Sequence, residues 1–329
     1  MPPIRDHLLE TVIYLYPSVA DAVSGTNTGG SGFLVGLPAD GAPLLEENQP
    51  PAAIIAVSNR HVVGDPAQSP VIRLNTLAGR VEVLEMTGAD WIAHPDGDDL
   101  AICPLGVVPD GVKFNYLRRE LFIKRASDGS PHFTGLPGSG PPVFLGSGVF
   151  MVGRFMPIES RVNQPVVRFG DIAMLPAPIR SPRGIDQESY LVEMHSVSGF
   201  SGSPVFIGTY NELGSLAQRF LGVDWGHIPH VHPVLDADAR HPSYTVEQNS
   251  GMMMVIPSWK LEEMLDSDEI NEWKDEQIRD AEQKKAEWPV VYDAEEPGRD
   301  TPIKIDMDPE DALRRLLNTP KVRKPDSKK

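Results

Sequence analysis

Twelve short apolar runs rich in β-branched residues dominate the first three quarters of the chain. They fall at residues 11–16, 32–35, 52–57, 71–74, 81–86, 100–105, 143–155, 165–175, 190–193, 204–207, 220–225 and 252–256. Clusters of Gly, Pro, Asp and Ser separate them, as at Pro109-Asp110-Gly111. A parallel α/β sheet needs an amphipathic helix between successive strands, and none occurs here. The pattern therefore predicts an all-β barrel or sandwich. The 29 glycines and 32 prolines supply the turns such a chain requires. No repeat of 20–50 residues is present.

The composition changes after Pro257. Residues 257–329 hold 20 acidic and 14 basic side chains. Ser258 is suited to cap a helix with Glu262 and Glu263 in its first turns. Trp259, Leu261, Met264, Leu265, Ile270 and Trp273 give it an apolar stripe, and the pattern runs through Trp288 to stop at Pro289. A second short helix is expected after Asp308-Pro309, with Leu313, Leu316 and Leu317 on one face, before a basic, frayed end. The chain thus divides into a β region, 1–256, and a charged helical extension, 257–329. The extension is expected to support the fold or a regulatory protein partner, without taking part in bond chemistry.

A formal net charge of −16 argues against nucleic acid or an anionic membrane as partner, since phosphate binding needs concentrated Lys and Arg. The single cysteine, Cys103, excludes an internal disulfide and a cysteine-based zinc site. No apolar run reaches 18 residues, so no membrane span is expected. The start, Met1-Pro2-Pro3-Ile4-Arg5-Asp6-His7, lacks the features of a secretion signal, and the expected compartment is the cytoplasm. His227, His230, His232 and His241, with Asp236 and Asp238, are residue types that zinc accepts. No helical or hairpin register fixes their spacing, so a Pro-rich surface loop is expected, with no metal and no cofactor.

Three segments carry chemistry. Ala56-Val57-Ser58-Asn59-Arg60-His61-Val62-Val63 places a histidine directly after an apolar strand. Asp98-Asp99-Leu100-Ala101-Ile102 places acids directly before one. Gly199-Phe200-Ser201-Gly202-Ser203-Pro204 places a serine in a glycine-flanked turn entering a strand. A hydroxyl nucleophile needs a base within hydrogen-bond reach, and the base needs an orienting acid. Flanking glycines let the backbone turn sharply with amide hydrogens pointing outward, as an oxyanion hole requires.

With these residues in the order His, Asp, Ser inside an all-β pattern, residues 10–260 resemble the chymotrypsin-like serine proteases, closest to the bacterial trypsin-like branch with the HtrA-type enzymes. Asn59-Arg60-His61-Val62-Val63, Asp99-Leu100-Ala101-Ile102 and residues 199–204 are similar to that branch's three motifs. The resemblance implies two six-stranded antiparallel β-barrels, the first at about 10–125 and the second at about 140–256, with the active site in the cleft between them. His61, Asp99 and Ser201 would form the triad, with Asp98 as rival for the acid. The amides of Gly199 and Ser201 would form the oxyanion hole. Leu221-Gly222-Val223-Asp224-Trp225-Gly226 resembles the strand lining the substrate groove, where Trp225 would wall the pocket and the backbone of Asp224, Trp225 and Gly226 would pair with peptide. The bland reading of Trp225 is core packing. His195 would lie near the base of the specificity pocket, with Met252 and Met253 beside it. Phe200 stands where trypsin-type zymogens place the acid that binds a newly cut N-terminus, so packing of Phe200, or a partner or substrate, is expected to set the oxyanion loop.

The expected function is a serine endopeptidase acting on polypeptides. Its rival is a catalytically silent or partner-activated peptide-binding member of the same fold, acting in signalling or defence. An esterase of the α/β-hydrolase kind would order its residues Ser, Asp, His and alternate strands with helices; this chain does neither.

Overall fold

The computed structural model describes residues 4–27, 29–38, 51–64, 68–106, 111–126, 129–133, 143–155, 161–180, 184, 186–210, 216–234 and 244–286. The expected helix after Pro309, Trp288, Pro289 and the basic end lie outside them. The chain divides into two compact units, Met1–Ile278 and Arg279–Lys329. Everything below concerns the first unit.

Its strands are β1 (Val12–Tyr16), β2 (Gly30–Leu37), β3 (Ala53–Ser58), β4 (Val71–Thr76), β5 (Val81–Leu84), β6 (Ile92–Ala93), β7 (Ala101–Gly106), β8 (Val112–Lys113), β9 (Leu117–Arg118), β10 (Ile123–Arg125), β11 (Pro131–Phe133), β12 (Gly148–Gly153), β13 (Val166–Arg180), β14 (Asp186–Glu193), β15 (Pro204–Tyr210), β16 (Leu216–Val234) and β17 (Tyr244–Pro257). The helices are α1 (Asp6–Leu9), α2 (Val19–Ser24), α3 (Arg60–Val63), α4 (Ser258–Leu265) and α5 (Asp268–Ala286), the last crossing into the second unit.

The second sheet closes as a six-stranded antiparallel barrel in the order β12-β13-β14-β17-β16-β15. The first has nine strands, with the path β5-β4-β1-β2-β3-β7-β6 and with β8 and β9 attached to β4 and β2. Six of the nine are expected strands of four or more residues. The other three, β6, β8 and β9, have two residues each, too short for any periodicity in sequence. β10 and β11 pair with each other in a short separate sheet, and β9 runs parallel to β2. The all-β architecture of two main, largely antiparallel sheets with C-terminal helices is thus the one expected.

Alternation explains why the runs read as continuously apolar. On β1, Ile13 and Leu15 face the interior of the first sheet with Leu34 and Ala56, while Val12, Tyr14 and Tyr16 face a core that also holds second-barrel side chains. On β12, Val149 and Met151 face the barrel interior, and Phe150 and Val152 the shared core. Strands covered on both faces have no polar side to show. Phe220 on β16 centres the shared core, with ring centroids 5.2 Å from Phe33, 4.8 Å from Phe122 and 6.0 Å from Phe206. Aromatic groups at these spacings bring large apolar area and favourable edge contacts.

The helix after Pro257 differs from the expected one in two ways. Pro257, not Ser258, holds the N-cap position, and the Ser258 hydroxyl donates instead to the Ile123 carbonyl at 2.7 Å. The run also breaks at Asp266-Ser267. The Ser267 hydroxyl accepts from the Ile270 amide at 3.4 Å and starts α5 anew, as an N-capping serine does. Glu262 of α4 pairs with Lys124 and Arg119, tying the helix to the segment around β10. Trp259, Leu261, Met264 and Leu265 are buried, so α4 is part of the packed β unit.

Candidate active site

β3 pairs antiparallel with β7, Ser58 opposite Ala101 and Val57 opposite Ile102. This register sets the residues after β3 beside those before β7. After Ser58 the chain makes the single turn of α3, and Asp99 receives it. One Asp99 carboxylate oxygen accepts the His61 backbone amide at 2.9 Å; the other lies 2.5 Å from His61 Nδ1. The Asn59 side chain donates to the Asp99 carbonyl at 2.9 Å, clamping the turn from the other end. The Asp99 side chain is 4% exposed and that of His61 21%. An Nδ1–H donated to the Asp99 carboxylate leaves Nε2 as the ring nitrogen with a free lone pair. Asp98 turns away: its carboxylate accepts from Gln187 and pairs with Lys260, and it makes no contact with His61 among the described residues.

The serine turn is built on glycine. Gly199 has φ 97° and Gly202 φ 87°, values that side chains resist. A Cβ on Gly202 would lie 2.0 Å from the Ser31 carbonyl and 2.5 Å from the Ser58 hydroxyl. Gly202→Ala should therefore cost roughly 3 kcal/mol from strain and collision combined. Chemical denaturation of the purified variant checks this; an unchanged midpoint would mean the turn is not packed in this way.

Ser31 binds the turn to β2. Its amide donates to the Ser201 carbonyl at 2.9 Å, and its hydroxyl donates to the Gly199 carbonyl at 2.7 Å. The same hydroxyl accepts the Arg154 amide at 2.9 Å, and the Ser31 carbonyl accepts from the Ser58 hydroxyl at 2.8 Å. Sequence reasoning missed Ser31. The signal was the run Gly29-Gly30-Ser31-Gly32, whose small residues allow close backbone approach. A Cβ on Gly30 would lie 2.9 Å from Val62, next to His61, and 3.0 Å from the Ser201 carbonyl. Gly30 thus lets the histidine turn and the serine turn meet across one strand. The Ser201 hydroxyl makes no hydrogen bond among the described residues.

With the Gly199 carbonyl held by Ser31, the amides of Gly199 and Ser201 have no acceptor among the described residues. Free amides beside a serine hydroxyl are the kind of donors an oxyanion needs. Phe200 between them is fully buried in the second-barrel core, with the Arg168 guanidinium 5.3 Å above its ring.

The expected groove residues sit otherwise. Trp225 is 5% exposed, belongs to the shared core, and donates its indole N–H to the Ser189 hydroxyl at 3.0 Å. Core packing, not a groove wall, is its role. The Asp224 amide donates to the Ser203 carbonyl at 3.0 Å, and its carbonyl accepts the Gly202 amide at 2.8 Å. The Gly226 amide donates to the Asp224 carboxylate at 3.0 Å. These two amides are already used inside the protein: the Asp224 backbone braces the serine turn through Gly202 and Ser203, and the Gly226 amide closes onto the Asp224 carboxylate. Met253 is wholly buried rather than pocket-lining. His195 is exposed and lines a cleft of 710 Å³ with Phe155, Arg168, Glu193, Met194 and Gly251.

Asp224 is fully buried, and burial pushes its carboxyl up to about 7, against the opposing bonds from Ser196 and Gly226. A carboxyl raised above its unfolded value near 3.9 keeps its proton longer in the native state, so its contribution to stability is present at low pH and lost as pH rises to about 7. Asp224→Asn should thus gain on the wild type by a few kcal/mol (roughly) between pH 5 and pH 8. Melting curves at both pH values test this, and a gap independent of pH would contradict it.

Burial also pushes the Cys103 thiol up to about 12, the state of an unreactive core cysteine. His230 and His232 stack at 4.1 Å, and no group of three or more metal-binding side chains occurs among the described residues. His241, Asp236 and Asp238 lie outside those residues. No helix among the described residues is long and apolar enough to cross a membrane.

No family model and no curated protein matches the chain. Solved structures do. The MamO protease domain from Magnetospirillum magneticum is 16% identical, with a TM-score of 0.45 over 79% of this chain and 98% of its own. Deg5 is 17% identical, with a TM-score of 0.42 over 78% of this chain and 88% of its own. The active form of the Rv3671c protease from M. tuberculosis is 17% identical, with a TM-score of 0.40 over 78% of this chain and 80% of its own. These are likenesses of architecture at low identity.

Proposed function

We propose that the chain is a serine endopeptidase acting on polypeptides, with Ser201 as nucleophile, His61 as general base, Asp99 as orienting acid, and no cofactor. The observation that carries this is the double hold of Asp99 on His61, at 2.9 Å to the backbone and 2.5 Å to the ring. The Ser201 hydroxyl attacks the scissile carbonyl carbon as its proton passes to His61 Nε2. Negative charge gathers on the carbonyl oxygen and is met by the Gly199 and Ser201 amides. The intermediate collapses, the amine leaves with the proton from His61, and an acyl-enzyme ester on Ser201 remains. Water, deprotonated by His61, hydrolyses that ester and restores the serine.

A second reading rests on the Ser201 hydroxyl, which makes no hydrogen bond to His61. Catalytic contacts of this kind often tighten only when substrate binds. On this reading the chain is partner-activated, with the exposed acidic and basic side chains of the C-terminal helices as the docking element, in a cytoplasmic setting of signalling or defence. Cleavage of a peptide library by the chain alone, with Ser201→Ala as control, supports the first reading. Cleavage only after a second protein is added supports the other.

A further inference from the structure

The acid turn is held from a helix that sequence reasoning left outside the chemistry. The Lys260 ammonium on α4 lies 3.2 Å from one carboxylate oxygen of Asp98, an oxygen that is itself buried. The other Asp98 oxygen accepts from the Gln187 side-chain amide at 3.0 Å. The Gln187 side-chain oxygen accepts the Asp99 backbone amide at 2.8 Å. Asp99 in turn holds His61. Gln187, Asp98 and Asp99 are all buried, so water does not substitute for a missing partner at low cost.

We infer that Lys260 and Gln187 are positioning residues for the Asp99–His61 pair, making α4 a brace for the acid turn. The inference rests on the proteolytic reading for its kinetic consequence, though not for the brace itself.

The chemistry fixes the order of the chain. A carboxylate only accepts hydrogen bonds, so Asp98 obliges Gln187 to present its NH₂ group. That orientation turns the Gln187 oxygen toward the Asp99 amide, the one place where an acceptor is needed. Lys260 pairs with the Asp98 carboxylate and holds it in place. Burial works against the charge on Lys260, but Asp98 and Glu263 outweigh it and hold the ammonium above its ordinary range. His94, with its ring buried, lies 3.5 Å from Asp98 and 3.6 Å from Glu263, and closes the same cluster. Without Lys260 a buried carboxylate loses its cation, and a turn with an uncompensated charge moves toward water. The short segment Asp98-Asp99-Leu100, closed by the Leu100 amide on the Asp98 carbonyl at 2.8 Å, carries Asp99 with it.

The test compares Lys260→Met, Lys260→Gln and Lys260→Arg with the exposed-site control Lys113→Met. Two readouts are taken: kcat and KM on a cleaved peptide, and the low-field proton NMR signal of the His61 Nδ1–H bonded to Asp99, which needs no turnover. The expected result is a fall in kcat of about 10²-fold for Lys260→Met, the cost of a displaced catalytic pair, with KM little changed. The NMR signal should weaken or shift with it, Lys260→Gln should lie between, Lys260→Arg should restore both, and Lys113→Met should change neither. Thermal melting separates misfolding from misplacement, and Lys260→Gln serves if Lys260→Met does not fold. The inference is overturned if folded Lys260→Met or Lys260→Gln keeps both kcat and the low-field signal. If the wild type neither cleaves peptide nor reacts with a serine probe, the proteolytic reading falls, while the NMR signal still decides whether Lys260 positions the pair.

Discussion

Asp99→Asn should lower kcat by about 10⁴-fold, and Asp98→Asn far less. The two residues are adjacent in sequence, yet only Asp99 reaches His61, through both the ring and the backbone amide. An amide at position 99 would present an NH₂ group or a weaker acceptor to Nδ1. It would favour the tautomer with the proton on Nε2, where it cannot receive the serine proton. Because Asn is nearly the same size and the turn is also closed by Asn59, the fold should survive, and circular dichroism verifies it. Steady-state kinetics of both variants on one peptide decide the matter. If Asp98→Asn carries the large loss and Asp99→Asn the small one, the acid is wrongly assigned.

The second large effect is expected at the proposed nucleophile and base. Ser201→Ala and His61→Ala should each lower kcat by about 10⁶-fold, and the double variant should be no worse than either alone, as for residues that act as a unit. Neither change should cost much stability. Ser201 is half-buried and its hydroxyl holds nothing among the described residues, while the His61 ring is partly open to solvent. Kinetics with melting curves on the three proteins measure both halves of the claim. A double variant markedly slower than both singles would mean that Ser201 and His61 act independently.

Strands such as β1, β2 and β3 were legible because each is buried on both sides. Leu34 and Val35 sit in different cores, and a run such as Phe33-Leu34-Val35 therefore needs no polar residue. The His, Asp and Ser segments were legible because each functional residue sits at a strand end, where local sequence sets the turn. What could not be read was contact between distant segments. Ser31 meets Gly199 across 168 residues, and Gln187 meets Asp99 across 88. Polar residues such as these look like ordinary surface positions until the fold buries them. Trp225 was misplaced for the opposite reason. A tryptophan in a motif-like string is equally suited to a groove or a core, and the Ser189 acceptor that decides it lies on another strand. The helix break at Ser267 was readable in principle, since a serine followed by acidic residues is an N-terminal signal, but the unbroken apolar stripe concealed it.

The central claim is that Ser201, through Asp99 and His61, is an activated nucleophile. Labelling of the intact chain with a fluorophosphonate, followed by peptide mapping in a mass spectrometer, tests this most directly. The account predicts one fast adduct, on Ser201, absent from Ser201→Ala and lost from His61→Ala. A fast adduct on any other serine, or equal labelling of the His61→Ala protein, would contradict it.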